Sequence, residues 1–174
     1  METFTSMKEN TIDYFANEKK LKLIDVPGHE RVRYKFIDGY KNSAKGIIFM
    51  IDSATFTKDL RDVAEFLYIL LTDGSLGSKV KSVIVLCNKQ DLPLSKGAQL
   101  IKSQLEKEMN ILRTTKSSQL EGTSEIANNN TFLGKTGKDF EFSHLNVPVL
   151  FEQCNLKSEN PDLTSVTSWL TKLA

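Results

Sequence analysis

Two runs that are apolar at nearly every position constrain the fold of this chain more than any other feature. Residues 46–52 read GIIFMID and residues 82–87 read SVIVLC. Strands that helices cover on both sides are continuous apolar runs, whereas strands with one wet face alternate. We therefore predict two central, buried strands. A third run, residues 147–151, contains Pro148, which cannot donate to a ladder, so this strand is expected at a sheet edge.

Two shorter segments add to the sheet, and helical spacing fills the gaps between strands. Residues 21–25 alternate before ending in an acid, and residues 12–16 allow an additional short strand. Apolar side chains recur at helical spacing over residues 56–71, 95–112 and 162–173. Strands that alternate with helices predict an α/β fold with right-handed crossovers, a mostly parallel sheet and a ligand-binding edge at the carboxyl ends of the strands.

Local signals mark the start of one of these helices and the weakness of a fourth. Ser95 is available as an N-cap for the helix over residues 95–112. A weaker helical pattern over residues 30–43 is interrupted by Gly39, which costs ~1 kcal/mol relative to Ala. The pattern indicates a soft helix at that place.

Length, charge and cysteine usage exclude several classes of protein. The 174 residues fit one globular domain. The 23 basic and 22 acidic residues leave a net charge of +1, too little for nucleic acid to be the primary partner. Apolar runs such as residues 47–51 are far shorter than the ~20 residues of a membrane span, so we expect this chain alone to be soluble. Cys87 ends an apolar run and Cys154 lies three residues after another, which is typical of buried free thiols in a reducing compartment.

One stretch breaks the alternation of strands and helices. Residues 114–131 are rich in Ser, Thr, Asn and Gly and have no periodicity, which predicts a mobile surface loop. In residues 132–145, Phe140 and Phe142 alternate with polar residues as in a strand. We interpret the chain as a single domain, residues 1–174, with a flexible insertion at about residues 113–146.

The first chemical motif follows the apolar strand that ends at Cys87. An acid at Asp91 can accept hydrogen bonds from the ring N–H and the exocyclic amine of guanine together, and adenine does not offer that pair. Asn88 would brace the loop and touch the base, and the stem of Lys89 would cover one face of the ring. The alternative is a solvated polar turn between a strand and a helix.

The second motif, Asp-Val-Pro-Gly, lies at the end of the strand over residues 21–25. Asp25 can hold a magnesium ion through water, and Gly28 lets a backbone N–H approach a terminal phosphate. The soft helix that follows is then a candidate switch segment. The alternative is an ordinary turn of the D-x-P-G type.

Together, the two motifs carry a resemblance to a known family. The segments LIDVPGHERVRYKF, MIDSATFTKDLRDVAEFLYILLTD and CNKQDLPLSKGAQLIKSQLEKEMNILR resemble the small GTPases of the P-loop class and, within it, the family of beta subunits of the signal recognition particle receptor. The resemblance covers most of the chain and extends through FLGKTGKDFEFSHL and the last helix. Arf and Sar relatives are not expected to have such an insertion.

The resemblance implies the cofactors GTP and magnesium and a role for each matching residue. Asp25 and Gly28 match the motif for magnesium and the terminal phosphate, and Asn88, Lys89 and Asp91 match the guanine motif. These five residues are the strongest candidates.

Other positions match the family less closely. Leu156, within Cys-Asn-Leu-Lys, is at the place of a backbone N–H that meets the guanine carbonyl, although Asn and Leu depart from the family pattern Cys-Ser-Ala-Lys. His29 follows Gly28, where related GTPases place the residue that orients the attacking water. Near the start of the chain, a segment resembles the first switch, in which a threonine reaches the magnesium; its candidates are Thr3, Thr5 and Ser6, with Thr5 as the metal ligand.

The expected phosphate loop is the main departure from the family. No G-x-x-x-x-G-K-[ST] segment precedes Thr3, and residues 134–136 (GKT) lack the required first glycine because Asn129 stands there. The chain thus resembles the receptor subunit without its first strand, phosphate loop, first helix and membrane anchor. We expect exposed apolar surface around Ile24, Phe49 and Ile51, and weak or absent GTP binding by this polypeptide alone.

The resemblance implies a function and leaves two alternatives open. A guanine-nucleotide-binding subunit would dock the receptor's alpha subunit at the cytosolic face of the endoplasmic reticulum membrane, with slow, regulatory GTP hydrolysis. The first alternative is a nucleotide-free interaction module that keeps the partner surface without the switch. The second is a trafficking GTPase of the Arf or Sar type.

Overall fold

The computed structural model describes residues 8–121, 132–157, 159 and 161–174, with the side chains of residues 117–121 left out. Two strands come first, and helices then alternate with three more strands. The strands are β1 (Asn10–Ala16), β2 (Lys19–Asp25), β3 (Gly46–Asp52), β4 (Ser82–Asn88) and β5 (Val149–Gln153). The helices are α1 (Glu30–Tyr40), α2 (Phe56–Thr72), α3 (Gly74–Lys79), α4 (Ala98–Glu121) and α5 (Thr164–Leu173), with a 3-10 turn over Phe142–His144.

A three-stranded parallel sheet in the order β3-β4-β5 forms the centre of the fold. Alternate residues of β4 enter two different cores: Val83 and Val85 pack with α2 and α4, while Ile84 and Leu86 pack with α5. Because both faces of β4 are covered, every position from residue 83 to 87 is buried. The prediction of a doubly covered strand is confirmed for β4, and β5 lies at an edge as expected.

β3 does not occupy the central position predicted for it. It is the other edge of the sheet, and Ile48 and Met50 on one of its faces are 37% and 52% exposed. Phe49 and Ile51 on the opposite face are buried, contrary to the expected exposure around them. The apolar sequence of β3 correctly indicated that its side chains are buried against α2 on one face. It does not indicate which strands lie beside β3 in the sheet.

β1 and β2 form a separate antiparallel hairpin, so the strand over residues 21–25 does not join the parallel sheet. The turn residues Asn17 and Glu18 both have positive φ, 50° and 61°, the twist that a two-residue hairpin requires. Leu21 packs the hairpin against the α5 side of the sheet, in a hydrophobic core with Ile84 and Trp169. The additional strand expected at residues 12–16 is confirmed by β1.

The helix over residues 56–71 is confirmed, and the one predicted over 95–112 has different ends. It begins at Ala98, because Ser95 does not cap it: the Ser95 hydroxyl donates to the Lys89 carbonyl instead. It continues to Glu121, so the first part of the predicted loop 114–131 is helical. The remainder, residues 122–131, lies outside the described residues. Across the described ranges, every helix is too short or too polar to cross a bilayer.

Residues 132–145 contain no strand in their described structure, which corrects the prediction from alternating Phe140 and Phe142. Both rings are buried, with centroids 5.2 Å apart in a T-shaped contact. The side chain of Arg113 organises this segment: it donates to the carbonyls of Leu133 (3.3 Å), Lys135 (3.2 Å) and Lys138. Carbonyls that turn inward toward a guanidinium cannot form a strand ladder.

Candidate functional site

The carboxyl ends of β3 and β4 lie side by side and together create the site. Asp52 and Asn88 are register partners at these ends, and the N–H of Ser53 donates to the Asn88 carbonyl over 3.1 Å. The chain then leaves β4 through residues 88–91, which we call the base loop. Parallel strands bring their carboxyl ends to one edge, where open α/β sheets bind ligands.

Asn88 ties the base loop to the turn that follows β5. Its Oδ1 accepts the N–H of Leu156 over 3.1 Å, and the Cys154 thiol lies 3.7 Å from the same oxygen. The backbone reinforces this junction, since the Cys154 N–H donates to the Cys87 carbonyl over 3.0 Å. Asn88 and Leu156, separated by 68 residues in sequence, are therefore in direct contact.

Lys89 adopts a left-handed backbone with φ of 66°. Its carbonyl accepts hydrogen bonds from the Leu92 N–H over 3.1 Å and from the Ser95 hydroxyl, which fixes this conformation. Its ammonium forms an ion pair with Asp52. The side chain predicted to cover a guanine ring is thus held at its far end by a carboxylate.

Asp52 carries hydrogen bonds on both carboxylate oxygens. Oδ1 accepts the N–H groups of Ala54 (3.0 Å) and Thr55 (3.3 Å), and Oδ2 faces the Lys89 ammonium. Burial alone would raise the pKa of Asp52, but the contact with Lys89 and the two backbone N–H groups outweigh it, and the pKa lies below its ordinary value. Asp52 therefore remains ionised at neutral pH.

Gln90 anchors the middle of the base loop. Its Nε2 lies within hydrogen-bond distance of Ser53 Oγ (3.0 Å), the Cys87 carbonyl (3.2 Å) and the Lys96 carbonyl (3.0 Å). Asp52, Ser53 and Gln90 were not singled out from the sequence. A signal existed: an Asp-Ser pair directly follows the apolar run of β3, at the ligand edge of the predicted sheet.

Asp91 is exposed at the end of this braced loop. The backbone before it is held by Lys89 and Gln90, so the carboxylate projects from a fixed support. A free carboxylate in such a position can accept two N–H donors in parallel. The N–H of Leu156, which we expected to face the guanine carbonyl, already donates to Asn88, and contact with a base requires it to share or exchange that bond.

The second motif lies at the end of the hairpin. Asp25 closes β2, and its Oδ2 accepts a hydrogen bond from the Asn10 side chain over 3.2 Å. Pro27 is buried and Gly28 is exposed. His29 caps α1: its Nδ1 accepts the Arg31 N–H over 3.3 Å, which leaves only Nε2 for another partner.

The structure brings Asn88, Lys89 and Leu156 into one contact network and places Asp91 beside it. Asp25, Gly28 and His29 lie at the hairpin, which belongs to the other sheet. The candidates Thr3, Thr5 and Ser6 lie outside the described residues. Within the described part of the chain, no three His, Cys, Asp or Glu side chains cluster closely enough to hold a metal ion, so magnesium would need water and phosphate oxygens as further ligands.

Comparison of the sequence with known proteins gives a consistent family. Residues 1–149 match the family model described as signal recognition particle receptor beta subunit. The human protein named signal recognition particle receptor subunit beta is 42% identical over 181 residues, which cover 99% of this chain and 67% of the human protein. The sequence resemblance noted above is thereby confirmed.

Solved structures agree with this result. A chain of the mammalian signal recognition particle receptor superposes with a TM-score of 0.83 at 40% identity, covering 100% of this chain and 87% of that chain. The SRb-GDP-Mg receptor structure from Chaetomium thermophilum gives 0.71 at 26% identity, covering 87% and 79%. The Arl6 small GTPase from Trypanosoma brucei gives 0.63 at 16% identity, covering 98% and 81%, a likeness in fold alone. The predicted α/β fold of the small GTPase type is confirmed.

Proposed function

Since this chain belongs to the signal recognition particle receptor beta subunit family, we propose that it is the receptor's guanine-nucleotide-binding subunit and that it docks the alpha subunit at the endoplasmic reticulum membrane. One observation carries the nucleotide part of the proposal: the Asn88 side chain joins the base loop to Leu156 over 3.1 Å. Asp91, whose side chain is exposed, follows Asn88 by three residues in the same loop. The related SRb of Chaetomium thermophilum, 26% identical, has GDP and Mg in its structure.

Asp91 gives the base loop its selectivity for guanine. Its carboxylate accepts the ring N–H and the exocyclic amine of guanine, while the Leu156 N–H turns from Asn88 toward the guanine carbonyl. The aliphatic stem of Lys89 covers one face of the ring. Adenine offers neither the ring N–H nor the amine in that arrangement, and an unpaired carboxylate is costly, so adenine nucleotides are rejected.

The phosphate side of the proposal assigns roles to the hairpin end and the first residues. Asp25 would hold magnesium through water, with Thr5 as a direct ligand, and Gly28 would offer its N–H to a terminal phosphate. Thr3 and Ser6 complete the nucleotide contacts of this segment. His29 orients the attacking water through Nε2, since its Nδ1 caps α1. Magnesium, when bound, neutralises charge on the phosphates.

A second candidate function, a nucleotide-free interaction module, is favoured by a different observation. The Leu156 N–H, the backbone group assigned to the guanine carbonyl, already donates to Asn88 within the chain. A loop whose polar groups satisfy one another is stable without a ligand. Nucleotide titration separates the two functions.

The nucleotide test is a titration of the ¹⁵N-labelled chain, followed by amide chemical shifts, which detect binding down to millimolar affinity. We expect GDP with magnesium to shift the amides of residues 88–91 and 154–157, and ADP to leave them in place. The variant Asp91→Asn should prefer xanthosine diphosphate, because an amide can donate to the carbonyl that xanthine carries in place of the guanine amine. Asp62→Asn, at an exposed position of α2, is the control. Equal responses to GDP and ADP would exclude a guanine site.

The partner test uses the alpha subunit directly. The chain should capture purified signal recognition particle receptor alpha subunit, and more of it with a non-hydrolysable GTP analogue than with GDP. Capture that is equal with and without nucleotide supports the interaction module. A chain that captures none is not a receptor subunit in the proposed sense.

A further inference from the structure

We infer that Asp52 is a positioning residue for the guanine site: it holds the Lys89 ammonium so that the lysine stem lies along the plane of the bound base. The inference rests on the proposed function and assigns a role that the motif residues do not include. Asp52 is on β3, whereas the residues assigned to guanine follow β4 and β5.

The geometry of Asp52 suits it to orient another side chain. One oxygen accepts two backbone N–H groups, from Ala54 at 3.0 Å and Thr55 at 3.3 Å, so the carboxylate cannot rotate freely. The other oxygen is left for the Lys89 ammonium. The Asp52 side chain is 30% exposed and that of Lys89 43%, so both remain accessible at the surface where a base would bind.

Lysine needs such a partner to cover an aromatic ring. Its stem has four rotatable bonds, and a free ammonium moves toward water, so a solvated lysine samples many conformations. When a fixed carboxylate holds the ammonium, the stem is confined between two points, its own Cα and Asp52. The left-handed backbone of Lys89, at φ 66°, fixes the first of these points.

The residue after Asp52 fixes the base loop as a whole. Ser53 contacts the loop twice: its N–H donates to the Asn88 carbonyl over 3.1 Å, and its hydroxyl accepts the Gln90 amide over 3.0 Å. Its carbonyl also accepts the Lys96 N–H, beyond the loop, over 3.0 Å. Ser53 is fully buried. The turn after β3 therefore supports the backbone of the loop through Ser53 and the Lys89 side chain through Asp52.

The experiment is a double-mutant cycle on nucleotide affinity, with Asp52→Asn, Lys89→Met and the double variant in the full chain. Asp52→Asn keeps the size and one hydrogen-bond acceptor but removes the charge. We expect it to weaken GDP binding about fivefold, equivalent to ~1 kcal/mol. Asp52→Asn should weaken the binding of inosine diphosphate by the same factor. The two bases present the same ring face and differ only in the exocyclic amine that Asp91 binds. In the Lys89→Met background, Asp52→Asn should have no further effect.

Each outcome decides the inference. If Asp52→Asn lowers GDP affinity equally in the wild-type and Lys89→Met backgrounds, Asp52 acts on the loop in general and not through Lys89. That result would overturn the inference. A changed ratio of GDP to inosine diphosphate affinity would do the same, because Asp52 would then influence the reading of the amine. If the wild-type chain does not respond to GDP, the proposed function fails first. Asp62→Asn, with unchanged affinity, controls for loss of a surface charge.

Discussion

The guanidinium carbon of Arg33 lies 4.1 Å from the centroid of the Phe66 ring, which joins α1 to α2 by a cation–π contact. Tyr34 meets the same ring edge-on, with centroids 6.1 Å apart. This contact is important because α1 itself has no buried residue. The helix that follows the Asp25–Gly28 motif is thus held to the domain by a few partly buried side chains, as expected of a segment that can rearrange.

We predict that Phe66→Leu loosens α1 without unfolding the domain. Leucine keeps an apolar side chain against Phe49 but removes the ring face that attracts Arg33, an interaction of ~0.5–2 kcal/mol. Amide hydrogen exchange over residues 31–40 should accelerate severalfold, while β4 exchanges as before. Arg31→Met, an exposed arginine on the same helix, should leave the exchange unchanged. Uniform acceleration across the sheet would contradict a local role for the ring.

We predict that Arg113→Met strongly destabilises the protein. The guanidinium is buried and donates to three carbonyls and to Asn110 Oδ1, 2.6 Å away. Methionine fills a similar volume but leaves these acceptors unpaired, so the free energy of unfolding should fall by ~3 kcal/mol. Urea denaturation measures the loss. Lys135→Met, in the same segment but exposed, should change stability by less than ~0.5 kcal/mol.

The elements that could be predicted from the sequence are those whose signal is local. β4 was predictable because five successive apolar residues require cover on both faces. The base loop was predictable because it follows that strand directly. The edge or central position of a strand could not be predicted, since the sequence of β3 is as apolar as that of β4 although β3 has only one neighbouring strand.

Contacts between distant residues account for the rest. Arg113 donates to the carbonyl of Lys138, 25 residues later, and no local pattern in either place indicates the pairing. The same holds for Asp52 and Lys89, which are 37 residues apart. Ser95 illustrates competition: it has the chemistry of an N-cap, but its hydroxyl bonds the Lys89 carbonyl and the helix begins at Ala98.

Two glycines should respond in opposite ways to alanine. A Cβ on Gly46 would lie 2.5 Å from Leu173 Cδ1 and 2.8 Å from Trp169 Cη2, so Gly46→Ala must displace these two side chains of α5 and should cost ~1–3 kcal/mol. A Cβ on Gly39 meets nothing within 4 Å, and Gly39→Ala should stabilise α1 by ~0.5–1 kcal/mol. Thermal unfolding should show a lower melting temperature for Gly46→Ala and a higher one for Gly39→Ala. A destabilising Gly39→Ala would mean that the flexibility of α1 is not set by this glycine.

We predict that the buried Cys87 thiol makes the free energy of unfolding depend on pH in the alkaline range. Burial, with smaller contributions from Cys154 and Glu152, raises its pKa from 9.0 to about 12. Because the folded pKa lies above the unfolded one, its contribution to stability is complete below pH 9 and is lost as the pH rises from 9 toward 12. The free energy of unfolding should therefore fall over this range, and less steeply in Cys87→Ala. Denaturant unfolding at several pH values tests this, and identical slopes in both proteins would show that Cys87 does not contribute.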